Sequence, residues 1–169
     1  MERNESPADG IPALELGQFF EVLVGRWRLQ REIPGIARFS GEADFAATGS
    51  SAVLAYAEFG VLAMTSGHNA PASRRLLYCR IGDQLAIKDD DARRRGALLH
   101  LLAFARPSCG TAWLVASHRH HCGEDAYDLE MRVLAPDRFE TRYHVVGRHK
   151  NYRMFTVYKR MLSIQVGFA

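Results

Sequence analysis

The sequence predicts an all-β domain, an antiparallel sandwich or barrel of about ten strands behind one short helix. Three observations predict it. From Arg26 to Leu162 apolar and polar residues alternate with a period of two, so one side of each strand is apolar. Short turn signals such as Pro34-Gly35, Gly82-Asp83 and Gly123-Glu124 separate those runs. A length of 169 residues with 47% apolar and 24% charged residues suits one ordinary globular domain with its own core.

Residues 1–13 hold Pro7, Gly10 and Pro12 among polar residues and read as a disordered tail before a domain spanning 14–165. Leu14, Leu16, Phe19, Phe20 and Leu23 then share a helical face, and Gly25 stops the helix. The strands follow as 26–33, 37–47, 52–65, 73–81, 84–88, 97–104, 111–122, 125–134, 138–146 and 151–162. Gly60 is read as a bulge within the third. The segment "DDDARRRG" reads as a solvated loop of weakly paired charges.

The stretch "SHRHHCGEDAYD" fixes a register. With Gly123-Glu124 as a two-residue type II′ turn, Cys122 faces Asp125, His120 faces Tyr127, and His118 faces Leu129. Ala116 with Met131 and Leu114 with Val133 continue that face, so it is the inner one. Arg119 and Asp128 pair on the outer face.

"LVGRWRLQR" resembles the helix-then-Gly-x-Trp opening of the calycin superfamily, and "TVYKR" offers Arg160 as the late basic residue that packs over the Trp in lipocalins. More specifically, "LVGRWRLQR", "FSGEADF", "YAEFG", "RRLLY", "LLH", "HHCGEDAY", "GRHKNY" and "TVYKR" resemble a family of small bacterial and fungal proteins catalogued as domain of unknown function 6314. The likeness runs from about Leu23 to Arg160. It departs at Gly147-Arg148-His149-Lys150, where the family more often has Gly-Pro-Arg-Lys, and at Leu99-His100, where Phe-His is usual. The resemblance implies an up-and-down calycin-like β-barrel and brings no activity.

In such a meander alternate turns fall at one rim, which places a polar set at a single mouth. It comprises Arg31, Glu58, Arg74 or Arg75 (Arg75 preferred), His100, His118, His120, Cys122, Asp125, Tyr127, Lys150 and Tyr152. Buried polar groups cost free energy unless paired, so this set is either a ligand site or a hydrogen-bonded network that closes the barrel. As a ligand site, its excess of Arg and Lys favours a partly apolar, anionic small molecule.

The same residues allow chemistry. His120 could act as acid or base with Asp125 orienting it, Tyr127 or Lys150 could steady negative charge, and Cys122 could be a thiolate. No nucleophile elbow, phosphate loop or paired-carboxylate signature fixes these roles, so enzyme and non-catalytic interaction module stay open as alternatives. His118, His120, Cys122 and Asp125 are donor types that suit zinc, but His118 stands outside the family pattern, so zinc ranks below a hydrogen-bonded His-Asp arrangement. Haem is the other minor option, through His100, His120 or His149, because a nitrobindin-like calycin branch holds haem by one His; that branch's glycine-rich motif is absent. No cofactor is predicted.

Three cysteines at irregular spacing argue for a reducing compartment, and the charged start lacks the apolar core of a signal peptide. The expectation is cytoplasmic. No apolar run is long enough to span a bilayer, and a net charge of +3 with interleaved signs lacks a nucleic-acid footprint. The expected partner is a small molecule, with no nucleic acid and no membrane; a homodimer stays open.

Overall fold

The computed structural model describes residues 16–162. The expected tail and the last residues of the expected domain lie outside that range. One helix, α1 (Leu16–Leu23), precedes ten strands: β1 (Gly25–Ile33), β2 (Ala37–Ala47), β3 (Val53–Met64), β4 (Asn69–Ile81), β5 (Gln84–Asp89), β6 (Leu98–Ala103), β7 (Leu114–Cys122), β8 (Asp125–Ala135), β9 (Arg138–Gly147) and β10 (Lys150–Arg160). They form one antiparallel sheet in the order β6-β5-β4-β3-β2-β1-β10-β9-β8-β7. The sheet curls until its edge strands approach, and a two-way backbone bridge between Ala105 and Val115 closes the seam at one end. The result is a nearly closed meander barrel, as expected.

Its closed end is built by the Gly-x-Trp element. Gly25 takes φ +118°, a conformation that L side chains avoid, and so turns the chain from α1 into β1. Trp27 is then fully buried and its indole N–H donates to the Leu23 carbonyl at 2.8 Å, satisfying a helix end. Arg160, opposite Trp27 in the β1–β10 ladder, lies 4.6 Å above the indole and donates to the Val24 carbonyl. Phe19, Phe20 and Leu23 of α1 plug the end beneath.

Above this plug the inward residues are mostly aromatic. Phe45 packs edge-on against Tyr56 and Tyr78, and Phe139 packs edge-on against Trp27 and stacks on Tyr158. The lower half of the barrel is therefore filled.

Two sequence expectations change. Gly60 is no bulge: it stands opposite Gly41 in unbroken register, and a Cβ on either would collide with the facing backbone. The glycine pair lets β2 and β3 approach closely; the register shifts fall instead at Ile87/Lys88 and Val133/Ala135. Strand β4 also begins four residues earlier than expected and includes Pro71. Beyond Leu76 toward Asn69 it has no β5 partner, so Pro71 sits on an edge that needs no N–H.

Candidate functional site

The β7–β8 hairpin has the expected register pair for pair, from Cys122 opposite Asp125 to Leu114 opposite Val133. Gly123 has φ +61° and Glu124 has no positive φ, the pattern of a type II′ turn. His118, His120 and Tyr127 thus join the inner face, and β6 brings His100 alongside. The His100 ring meets His118, His120 and Tyr143 edge-on, with Nδ1 of His100 and His118 3.3 Å apart. His100 is buried, and its pKa is pushed down to about 3 by burial first, then by His118, His120 and Arg74. It is a neutral imidazole at ordinary pH.

The His100, His120 and Tyr143 rings form part of a pocket of about 250 Å³ at the barrel mouth, lined with them by Arg74, Asp89, Arg94, Leu99, Cys122, Tyr127, Tyr152 and Met154. Of the expected residues, His100, His120, Cys122, Tyr127 and Tyr152 are here, with Arg74, the alternative to the preferred Arg75. Lys150 and Asp125 form an ion pair at the rim, and Lys150 also donates to the Tyr127 hydroxyl at 3.2 Å. Asp125 is thereby engaged by Lys150; among the described residues no hydrogen bond joins it to His120. His118 also reaches the outer wall, and His149 is exposed in the β9–β10 turn. Among the described residues no three His, Cys, Asp or Glu side chains are grouped to hold a metal ion.

Arg31 and Glu58 lie deeper and are spent on each other. The guanidinium and carboxylate pair through two hydrogen bonds of 2.8 Å, Arg31 Nε donates to Thr156 Oγ1, and the Tyr56 hydroxyl donates to Glu58. Burial alone would raise the Glu58 pKa; hydrogen bonds and charge from Arg31, helped by Tyr56, outweigh it and hold the carboxyl below its ordinary value. A cavity of about 50 Å³ beside this pair shares Arg74, Tyr143 and Met154 with the mouth pocket. Those three side chains form its waist.

Arg75 is placed on the wrong face by the sequence reading. It points outward and pairs with Asp90, whereas Arg74 shares the inward parity of Leu76 and Tyr78 and stands opposite Glu58. Counting back by two from Tyr78 would have found it. The "DDDARRRG" segment is also more than a solvated loop: Asp90 is buried against Arg75 and Arg95, while Asp89 and Arg94 enter the mouth wall. Tyr143 and Met154 were legible only as inward residues, because alternation marks the face and not the depth.

A larger hollow of about 570 Å³ lies on the outer wall of β7–β10. Most of its charges pair across strands, with Arg119 and Asp128 joined at 2.8 Å and Arg142 facing Glu130, while Arg153 stands opposite His144 without an ion pair among the described residues.

The model for the family of unknown function DUF6314 matches residues 23–160. The chain belongs to this family. A search of curated proteins finds no match. Among solved structures, the S-type phycobiliprotein lyase CPES from Guillardia theta is similar with a TM-score of 0.54 and 14% identity over 89% of this chain and 94% of that one. EF1p2_mFAP2b bound to DFHBI is similar with a TM-score of 0.50 and 11% identity over 87% of this chain and all of that one. At such identities the likeness is one of fold. No helix among the described residues of this family member is long and apolar enough to cross a membrane.

Proposed function

We propose that this protein binds a small, partly apolar anion in the mouth pocket, with Arg74 as the anchor. The observation that carries the reading is the state of Arg74. Both oxygens of Glu58, its ladder neighbour, are taken by Arg31, and among the described residues no carboxylate stands within ion-pair distance of Arg74. Arg94 is held loosely to Asp89 at 3.8 Å, so the wall carries two cations against one carboxylate. A guanidinium beside tyrosine and histidine rings, open to water and lacking a protein acceptor, suits a carboxylate or phosphate.

The test is a titration of isotope-labelled protein with small monocarboxylates and their neutral amides, followed by NMR. The acids should shift the amides of residues 74, 100, 120, 127 and 152, and Arg74→Gln should weaken them at least about tenfold, the cost of a charge-assisted bond. Equal binding of acids and amides, or shifts confined to the outer wall, would refute it.

A further inference from the structure

Resting on that reading, we infer that the ligand's apolar part is a flat ring system, so that the site takes one- or two-ring aromatic carboxylates in preference to aliphatic acids. Two features of the barrel carry this. The first is the wall: five rings, those of His100, His120, Tyr127, Tyr143 and Tyr152, line a space of about 250 Å³ that has few aliphatic side chains. Four of them already contact a neighbour at angles between tilted and edge-on, as His100 does with Tyr143 and His120 with Tyr127. Ring faces and edges at such angles complement another aromatic ring by quadrupole and shape, and they offer little to a flexible chain. His100, kept neutral by its burial, adds an uncharged imidazole face.

The second feature is the floor. An acyl chain needs a long apolar tunnel, and the described residues leave none below the mouth. Past Tyr143 and Met154 there are only about 50 Å³, walled by the Arg31–Glu58 pair and the hydroxyls of Tyr56 and Tyr158. Under that lies the filled stack of Phe45, Phe139 and Trp27. A chain directed downward would have to desolvate a satisfied ion pair or leave its tail in water, and it would lose rotational freedom besides. A rigid plate with its carboxylate on Arg74 does neither.

Matched pairs isolate planarity: benzoate against cyclohexanecarboxylate, and 1-naphthoate against its decahydro analogue, by calorimetry on the full chain. The aromatic member of each pair should bind at least about tenfold tighter. Tyr127→Leu and Tyr152→Leu, both at the half-buried rim, should shrink that ratio without removing acid binding. Equal or tighter binding of the saturated acids, or ratios unchanged in both variants, overturns the inference and leaves the carboxylate reading standing. Failure of every acid to bind overturns that reading, and the inference falls with it.

Discussion

Arg31 and Arg74 enter the barrel on neighbouring layers and meet opposite fates. Arg31 is mostly buried, and each of its three nitrogens donates to Glu58 or Thr156. Arg74 is one ladder step away from the same carboxylate and ends without an ion pair among the described residues. The difference separates a lower half, where the Arg31–Glu58 pair and its hydroxyl partners satisfy one another, from a mouth, where the fold leaves polarity over. Structural networks tend toward full satisfaction, because an unpaired buried polar group costs more than its bond returns. Surplus polarity at the open end is therefore the better guide to a site than polarity as such.

That contrast is broken most forcefully at the closed end. Trp27→Ala removes the ring that joins α1, Phe45, Phe139 and Arg160, and should cost about 5 kcal/mol in a urea melt. A loss below about 1 kcal/mol would mean that the plug is not the keystone of the lower half.

Next comes the buried pair. Glu58→Gln leaves the Arg31 charge in place with a weaker acceptor and should cost about 3 kcal/mol. The pair also gives a pH dependence. The Glu58 carboxyl titrates below its ordinary value in the fold, so its stabilisation is present above that value and is lost as the pH falls through the folded one. His100 acts in the same direction. The unfolded chain takes up its proton near 6.5 and the folded one only near 3, so stability declines as the pH falls across that range. His100→Leu should flatten the upper part of this decline, where carboxylates do not titrate. Urea midpoints measured at successive pH values decide it; an unchanged slope would show that His100 charges freely in the fold.

How much of this contrast was written in the chain can be judged residue by residue. The turn at Gly123-Glu124 fixed the hairpin register, since a two-residue loop leaves one pairing and the inner face had to be the apolar one. Trp27 and Arg160 were legible through the resemblance to the calycin opening, with its Gly-x-Trp and a late basic residue over the ring; the physical reason, the positive φ of Gly25 and the guanidinium above the indole, comes from the structure. Arg74 and Arg75 were confused because a strand start misplaced by four residues, across Pro71, blurred the parity of a run with charges on both faces. The pairing of Arg31 with Glu58, and of Lys150 with Asp125, was not legible at all. Each joins strands far apart in sequence, and residue type alone does not say which of several carboxylates a cation will meet.

A smaller effect is expected where a cation caps the filled end. Arg160→Leu keeps the ring covered but removes the charge above it and the bond to the Val24 carbonyl, for about 1 kcal/mol. Thermal melts should place it well below Trp27→Ala; a cost comparable to that of Trp27→Ala would make Arg160, rather than the indole, the centre of the closed end.

The smallest stability effect should come from the residue most important to the proposed site. Arg74→Met removes a cation with no ion pair among the described residues; it gives up a charge attraction to Glu58 across the ladder and relieves repulsion with any proton that approaches His100, two effects that offset. Its urea midpoint should match the wild type or rise slightly, because the variant leaves no partner group stranded. Affinity for an aromatic carboxylate should nevertheless fall at least about tenfold. A residue whose loss leaves the fold intact while binding disappears belongs to the site and not to the scaffold. If Arg74→Met instead destabilises the chain as Glu58→Gln does, then Glu58 leans on both arginines, and the mouth is part of the same structural network as the floor.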